Sequence, residues 1–152
     1  MKIIVDADAC PVKRIIEEIA ENYSLEVIMV IDTSHTLYSE YSNIITVDKG
    51  KDTVDIVVIN NTNKGDIVVT QDFGVAAMAL GKGAFPLNQN GILFTNDNMD
   101  EFLFERHLSQ KARKTGKKTF HQRKRTEDQN INFKKSLTKL CQRLDLNFKS
   151  KL

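Results

Sequence analysis

The chain has few cysteines, no tryptophan and no long apolar run. Its two cysteines, Cys10 and Cys141, lie far apart and outside any Cys-x-x-Cys or Cys/His pattern, which disfavours a structural zinc site and requires no disulfide. No apolar run approaches the roughly 18 residues that a membrane-spanning helix needs. The N-terminus lacks a basic region followed by an apolar signal stretch. We therefore expect a cytoplasmic protein without a membrane partner.

Charge is distributed unevenly along the 152 residues, of which 41% are hydrophobic. Residues 1–105 carry 7 Lys and Arg against 17 Asp and Glu, a net charge of −10. Residues 106–152 carry 15 against 3, a net charge of +12. The basic part predicts a polyanionic partner, usually nucleic acid, because Lys and Arg displace counterions from phosphates. Alternatively, it is a solubilising tail that folds back on the acidic body.

Strand-like and helix-like segments alternate through the first hundred residues. Short apolar runs, of which the one at 25–31 is rich in β-branched residues, predict strands at 2–5, 25–31, 43–47, 66–70, 84–87 and 92–95. Helical spacing of apolar residues predicts helices from Pro11, over 51–61 and 73–80, and from an N-cap at Asn96 or Asp97. This alternation predicts an α/β fold, with a three-layer, mainly parallel sheet and helices on both faces.

The composition changes after the predicted α/β domain, which we assign to residues 1–115. Residues 116–126 form a basic segment with few apolar residues, which we expect to be flexible. Over residues 127–152 helical spacing resumes, with apolar side chains at Phe133, Leu137, Leu140 and Leu144. We expect this C-terminal helix to dock on the domain.

Aspartates stand where the predicted parallel strands end. Asp6 ends the first strand, Asp8 follows two residues later, and Asp72 follows the strand at 66–70. The carboxyl ends of parallel strands open onto one crevice, where ligands bind. Asp52 and Asp55 are three residues apart and share one face of their segment if it is helical. Up to five carboxylates therefore converge on one place.

Such a cluster needs a counter-charge. Two carboxylates about 4 Å apart repel by about 4 kcal/mol at an effective dielectric constant near 20. Oxygen ligands favour Mg²⁺ or Mn²⁺ over zinc, and such an ion promotes hydrolysis of a phosphate ester. The alternative for Asp8, Asp52 and Asp72 is that each only caps the N-terminus of a nearby helix. The three histidines, His35, His107 and His121, show no ligand spacing, and we expect surface or hydrogen-bonding roles for them.

Three segments carry a resemblance to a known family. They are Val-Asp-Ala-Asp-Ala-Cys-Pro-Val at 5–12, Gly-Lys-Asp-Thr-Val-Asp at 50–55 and Gly-Asp-Ile-Val-Val-Thr-Gln-Asp at 65–72. In order and spacing they resemble the signature segments of the uncharacterised bacterial YaiI/YqxD family, and the resemblance covers residues 1 to about 115. That family is similar to PIN-like domains, α/β folds that include many metal-dependent ribonucleases.

The resemblance implies a PIN-like nuclease that hydrolyses phosphodiester bonds, with RNA as the expected substrate. Carried over by position, Asp6 and Asp72 match the family's strand-end acids and Asp55, or Asp52, its helix-borne acid. We expect Asp6, Asp55 and Asp72 to be catalytic. The expected ligands of Mg²⁺ or Mn²⁺ are all five aspartates: Asp6, Asp8, Asp52, Asp55 and Asp72. We expect nucleic acid to contact a basic helix after the last strand and the basic segment that follows it, through Arg106, Lys117, Lys118, Arg123, Lys124 and Arg125.

Two other functions fit the same residues. A haloacid-dehalogenase-like phosphatase would use Asp6 as a covalent nucleophile, Asp8 as acid and base, and Asp72 as a magnesium ligand. Thr33 or Ser34 would then bind the phosphate. The third candidate is a non-catalytic RNA-binding module that keeps a metal-binding pocket.

Overall fold

A central sheet with helices on both sides organises the molecule. The fold is taken from a computed structural model that describes residues 1–116 and 124–151. Its elements, in chain order, are β1 (Lys2–Asp6), α1 (Lys13–Asn22), β2 (Glu26–Asp32), β3 (Asn43–Val47), α2 (Thr53–Asn60), β4 (Ile67–Val69), α3 (Phe73–Gly81), β5 (Phe85–Leu87), α4 (Asn96–Lys114) and α5 (Glu127–Ser150).

The five strands of this sheet are all parallel and follow the order β3-β2-β1-β4-β5. The strand order therefore reverses between β1 and β4, and such a switch point is where open parallel sheets bind ligands. Val5 pairs with Val69, so Asp6 and Thr70 come next to each other at the carboxyl edge. The predicted α/β class with a parallel sheet is confirmed.

Alternate residues of β1 face two separate cores. Ile3 and Val5 pack in a buried cluster with α1 and α5, whereas Ile4 packs in a second cluster with α2 and α3. This division produces the expected three layers. In α5, Phe133 and Leu137 are fully buried in the first cluster, and burying one such side chain stabilises a fold by about 1.5–3 kcal/mol. The division of the chain at residue 115 stays a prediction.

Two sequence-based expectations are wrong near the end of the sheet. Residues 92–95 do not form a sixth strand, because the Asn88 side chain accepts hydrogen bonds from the backbone of Asn90 and Ile92 and turns the chain back. Only an isolated antiparallel bridge then joins Leu93 to β5. The N-cap of α4 is Thr95 rather than Asn96 or Asp97, because Thr95 and Asn98 form a reciprocal capping box.

The helix α4 ends at Lys114, just before residue 115, at which the sequence analysis ends the α/β domain. None of the described helices is long and apolar enough to cross a membrane.

Candidate active site

Asp6 and Asp72 are connected through the hydroxyl group of Thr70. The Thr70 Oγ1 donates a hydrogen bond of 3.1 Å to Asp6 Oδ2 and accepts one of 3.0 Å from the backbone nitrogen of Asp72. Asp72 Oδ1 in turn accepts from the backbone nitrogen of Val75 at 2.9 Å, which caps α3. The structure thus confirms a capping role for Asp72. Because Thr70 is buried, this chain of bonds fixes both strand ends.

Asp6 lies in an environment that disfavours its negative charge. Burial is the largest influence and raises the pKa of its carboxyl group from 3.8 to about 6, against the lowering effect of the Thr70 hydrogen bond. The charges of Asp55, Asp8 and Asp72 add to the rise. Three of the predicted site carboxylates therefore lie close enough to Asp6 to repel it.

The two aspartates near α2 differ in their surroundings. Asp55 lies in the first turn of α2 and is partly buried. Its pKa is raised by burial and by the charges of Asp72 and Asp52. Asp52 stands at the N-cap in a left-handed conformation (φ 63°), but its exposed side chain makes no capping hydrogen bond. The charge of Asp55 also raises the pKa of Asp6, whereas Asp52 acts on Asp55.

Asp8 points toward the end of β2 and does not cap α1, whose N-cap is Val12. His35 Nδ1 lies 2.9 Å from Asp8 Oδ1 and 3.3 Å from Asp32 Oδ1. One ligand atom from each of Asp8, Asp32 and His35 lies within 4.8 Å of the others. Hydrogen bonds from the Ser34 hydroxyl and backbone, followed by the influence of His35, lower the pKa of Asp32 and keep it ionised.

The sequence analysis missed Asp32 and did not connect it with His35. The signal was present, because Asp32 follows its apolar strand as Asp6 follows β1. The expectation of a hydrogen-bonded surface position for His35 is confirmed, with half of its side chain exposed. Ser34, named for the phosphatase alternative, donates its hydroxyl hydrogen to Asp32.

Two recesses adjoin at the carboxyl edge of the sheet. The smaller, about 30 Å³, is lined by Asp6, Asp8 and Thr70 together with Gln71, and this is room for one water molecule or ion. The second is a cleft of about 300 Å³ in which the β4–α3 junction faces α4, and we call it the arginine cleft; its lining residues are Gln71, Asp72, Phe73, Arg106, Ser109, Gln110 and Arg113.

The predicted nucleic-acid-binding residues fall into different places. Arg106 lines the arginine cleft, and its guanidinium carbon lies 5.9 Å from the centre of the Phe73 ring. Arg125 instead donates hydrogen bonds to Asn130 Oδ1, Asn90 Oδ1 and the Gln89 carbonyl, at 2.7, 2.9 and 2.5 Å. It thereby joins the start of α5 to the loop after β5. Lys124 is exposed. Predictions for Lys117, Lys118 and Arg123 lie outside the described residues.

The fold and site define a doubly wound parallel α/β protein with a carboxylate cluster at its switch point. A family model described as "Uncharacterized BCR, YaiI/YqxD family" matches residues 4–143, and the chain belongs to that family. The resemblance found in the three sequence segments is thereby confirmed. The similarity to PIN-like domains stays a prediction.

Several bacterial relatives match nearly the whole chain, and each is named UPF0178 protein. The protein of Lachnoclostridium phytofermentans is 57% identical over 143 residues, which cover 92% of this chain and 96% of the relative. That of Ruminiclostridium cellulolyticum is 58% identical over 137 residues, or 90% of each chain. A relative from Clostridium novyi is 51% identical over 140 residues, 92% of this chain and 94% of its own. No solved structure matches the chain.

Proposed function

We propose that the protein is a metal-dependent nuclease that hydrolyses phosphodiester bonds of RNA, with Asp6, Asp55 and Asp72 as its catalytic carboxylates. The observation that carries the proposal is the crowding of negative charge at the switch point of the sheet. Burial and the charges of Asp55, Asp8 and Asp72 raise the pKa of Asp6 to about 6. A fold that keeps such a cluster gains most from a ligand that carries positive charge.

The chemistry of the side chains suits a divalent cation, and among the described residues the ligand atoms found within 4.8 Å of one another come from Asp8, Asp32 and His35. Asp6, Asp8, Asp55 and Asp72 supply hard oxygen donors, which suit Mg²⁺ or Mn²⁺. The group of Asp8 with Asp32 and His35 extends the donor set by one imidazole. Imidazole is a poorer ligand for Mg²⁺ than for transition metals, so the nitrogen donor favours Mn²⁺. When bound, such an ion activates a water molecule and stabilises the leaving oxygen of a phosphodiester.

The protein's own contribution is to hold these carboxylates in place before the substrate arrives. Thr70 orients Asp6 through a bond of 3.1 Å, and the Val75 backbone nitrogen orients Asp72. Because Thr70 directly follows β4 and Val75 lies in α3, the acids need little reordering on binding, which is how an active site lowers the entropic part of a barrier.

Cleavage of generic single-stranded RNA with Mn²⁺ tests the proposal. We expect the wild-type protein to cleave the RNA, and Asp6→Ala, Asp72→Ala and addition of a chelator each to abolish cleavage. The matched control is Glu18→Ala, which removes an exposed acid from α1 and is expected to keep full activity.

The same preparations separate the alternatives. Equal cleavage by all variants would show that a contaminant cleaves the RNA, and it would refute the proposal that this protein is a nuclease. Hydrolysis of a phosphomonoester without cleavage of RNA would replace the nuclease with the phosphatase that uses Asp6 as a nucleophile. Binding of RNA without hydrolysis of either substrate would leave only a binding module.

A further inference from the structure

The arginine cleft has two cations on one wall. Arg106 and Arg113 both line it, with Ser109 and Gln110 between them on α4. Residues seven apart in an α-helix lie on the same face, separated by about 10 Å along the axis. Two guanidinium groups at that separation can contact different phosphates of one strand.

Both arginines keep their charge available for a ligand. In the part of the chain that the structure describes, neither side chain has an ion-pair partner or a hydrogen bond. Arg106 is nevertheless oriented, because its guanidinium lies over the Phe73 ring. Phe73 is itself held by Phe102, which stacks on it at 5.8 Å between ring centres, and by the edge-on Phe94. Phe73 is therefore a positioning residue for Arg106.

We infer that the arginine cleft binds the backbone of a single nucleic-acid strand over at least two successive phosphates, beside the bond to be cleaved. The inference rests on the proposed function, because it takes the bound strand to be the substrate. Guanidinium groups bind phosphates through paired hydrogen bonds, and the Ser109 hydroxyl and Gln110 amide add donors of the kind that contact phosphates and sugars.

The position of the cleft connects the strand to the carboxylates. Gln71 lines both the arginine cleft and the recess of Asp6 and Asp8, and Asp72 forms part of the cleft wall. Phosphates on the arginines therefore lie next to the one that reaches the acids. A space of about 300 Å³ is at the lower end of small-ligand pockets. It is too small to enclose a duplex, so we expect it to take the backbone of one strand lying along α4.

Binding can be measured without cleavage. The Asp6→Asn protein, with chelator present, is titrated with a short fluorescein-labelled oligouridylate while anisotropy is followed at several salt concentrations. We expect Arg106→Ala and Arg113→Ala each to weaken binding about tenfold, the effect of one charge-assisted hydrogen bond. Each should lower the slope of log affinity against log salt by about 0.7, the value for one phosphate contact to a single strand.

Lys111→Ala is the matched control. It removes the same charge from the same helix, but Lys111 does not line the cleft, so we expect affinity within about twofold of the parent and an unchanged salt slope. Phe73→Leu should weaken binding and Phe73→Tyr restore it, because tyrosine keeps a ring under Arg106. Circular dichroism verifies that each variant is folded.

Several results would overturn the inference. Lys111→Ala weakening binding as much as Arg113→Ala would indicate a diffuse charge effect. Uridine monophosphate or a duplex of the same length binding as tightly as the oligomer would exclude a strand held at two phosphates.

The proposed function fails independently of this inference. Arginine-dependent binding without Asp6-dependent cleavage by the wild-type protein would refute the nuclease and leave the strand-binding cleft. Cleavage that needs Asp6 and Asp72 but is insensitive to both arginine substitutions would refute the cleft and leave the nuclease.

Discussion

Replacing Asp6 by asparagine should stabilise the metal-free protein at neutral pH while removing the proposed activity. The pKa of Asp6 rises from 3.8 to about 6 on folding, so the folded state holds a proton more tightly than the unfolded state. As the pH rises above 3.8, the pKa of Asp6 in the unfolded chain, this tighter proton binding contributes less to stability. The free energy of unfolding therefore falls as the pH rises through about 6. The ionised carboxylate therefore destabilises the fold at neutral pH.

The magnitude follows from the same two values. A rise from 3.8 to about 6 corresponds to about 3 kcal/mol of unfavourable free energy for the ionised form. Because Asp6 is only partly buried, solvent screening reduces this, and we expect Asp6→Asn to stabilise the protein by about 1–3 kcal/mol above pH 6. Asparagine keeps an oxygen that can accept the Thr70 hydrogen bond, so the gain is not offset there.

Urea denaturation between about pH 4 and pH 8 with chelator measures the effect. The stability difference between variant and wild type should be small near pH 4 and grow through pH 6. With Mn²⁺ at a hundredfold excess over its dissociation constant, the wild type should gain about 2.7 kcal/mol. The variant should gain far less, so its advantage is lost or reversed.

Asp66→Asn is the control with the opposite sign. Asp66 is buried, pairs with Lys2 at 2.7 Å and accepts hydrogen bonds from two backbone nitrogens, so its neutral substitute should destabilise the fold by about 1–3 kcal/mol. An Asp6→Asn protein that is less stable than the wild type in chelator, with no pH dependence of the difference, would refute the crowded-carboxylate reasoning.

Three further substitutions test the surroundings of the site. Thr70→Val should raise the pKa of Asp6 further and lower stability by about 1–3 kcal/mol, whereas Thr70→Ser should keep both values; carboxyl titration by NMR and urea denaturation measure them. His35→Ala should weaken Mn²⁺ binding more than Mg²⁺ binding in calorimetry, and an equal loss for both ions would exclude the imidazole as a ligand. Gly91→Ala should release α5, detected as faster proteolysis, because Gly91 has φ +85° and an added Cβ would lie 2.6 Å from the Asn132 carbonyl oxygen; unchanged proteolysis would contradict this.

Local patterns were sufficient for most of the fold, because β1, β2, β3 and β4 are short runs rich in β-branched residues. The predicted third strand has the bounds observed for β3, Asn43–Val47. Apolar periodicity failed at residues 92–95, where the Asn88 side chain turns the chain through bonds that no spacing reveals. The sequence pattern also cannot decide which of three neighbouring polar residues is the N-cap of a helix. For this reason Thr95 was overlooked beside Asn96.

The sequence predicted candidate residues of two kinds: Asp6 and Asp72, which stand at or just after a strand end, and Asp55, which lies on a predicted helix. The contact between Asp8 and Asp32 depends on β2 pairing beside β1, which is a property of sheet order and not of local sequence. Arg113 was missed for another reason: it shares a face with Arg106 only because α4 extends to Lys114, and the sequence analysis predicted no end for that helix.

The uneven charge of the chain acquires a physical meaning from this arrangement. A tail that merely neutralised the acidic body would form ion pairs with it, yet within residues 1–116 and 124–151 none joins a basic residue of the C-terminal third to an acid of the body. α4 instead places Arg106 and Arg113 across the cleft from Asp72 while the acids around Asp6 repel one another. The repulsion among these acids carries a free-energy penalty, which a bound cation would relieve, and the two arginines would then bind the phosphates of the strand. The proposed metal ion would thus balance the acids around Asp6, and the proposed substrate would balance the two arginines, whose charges the folded protein leaves without ion-pair partners among the described residues.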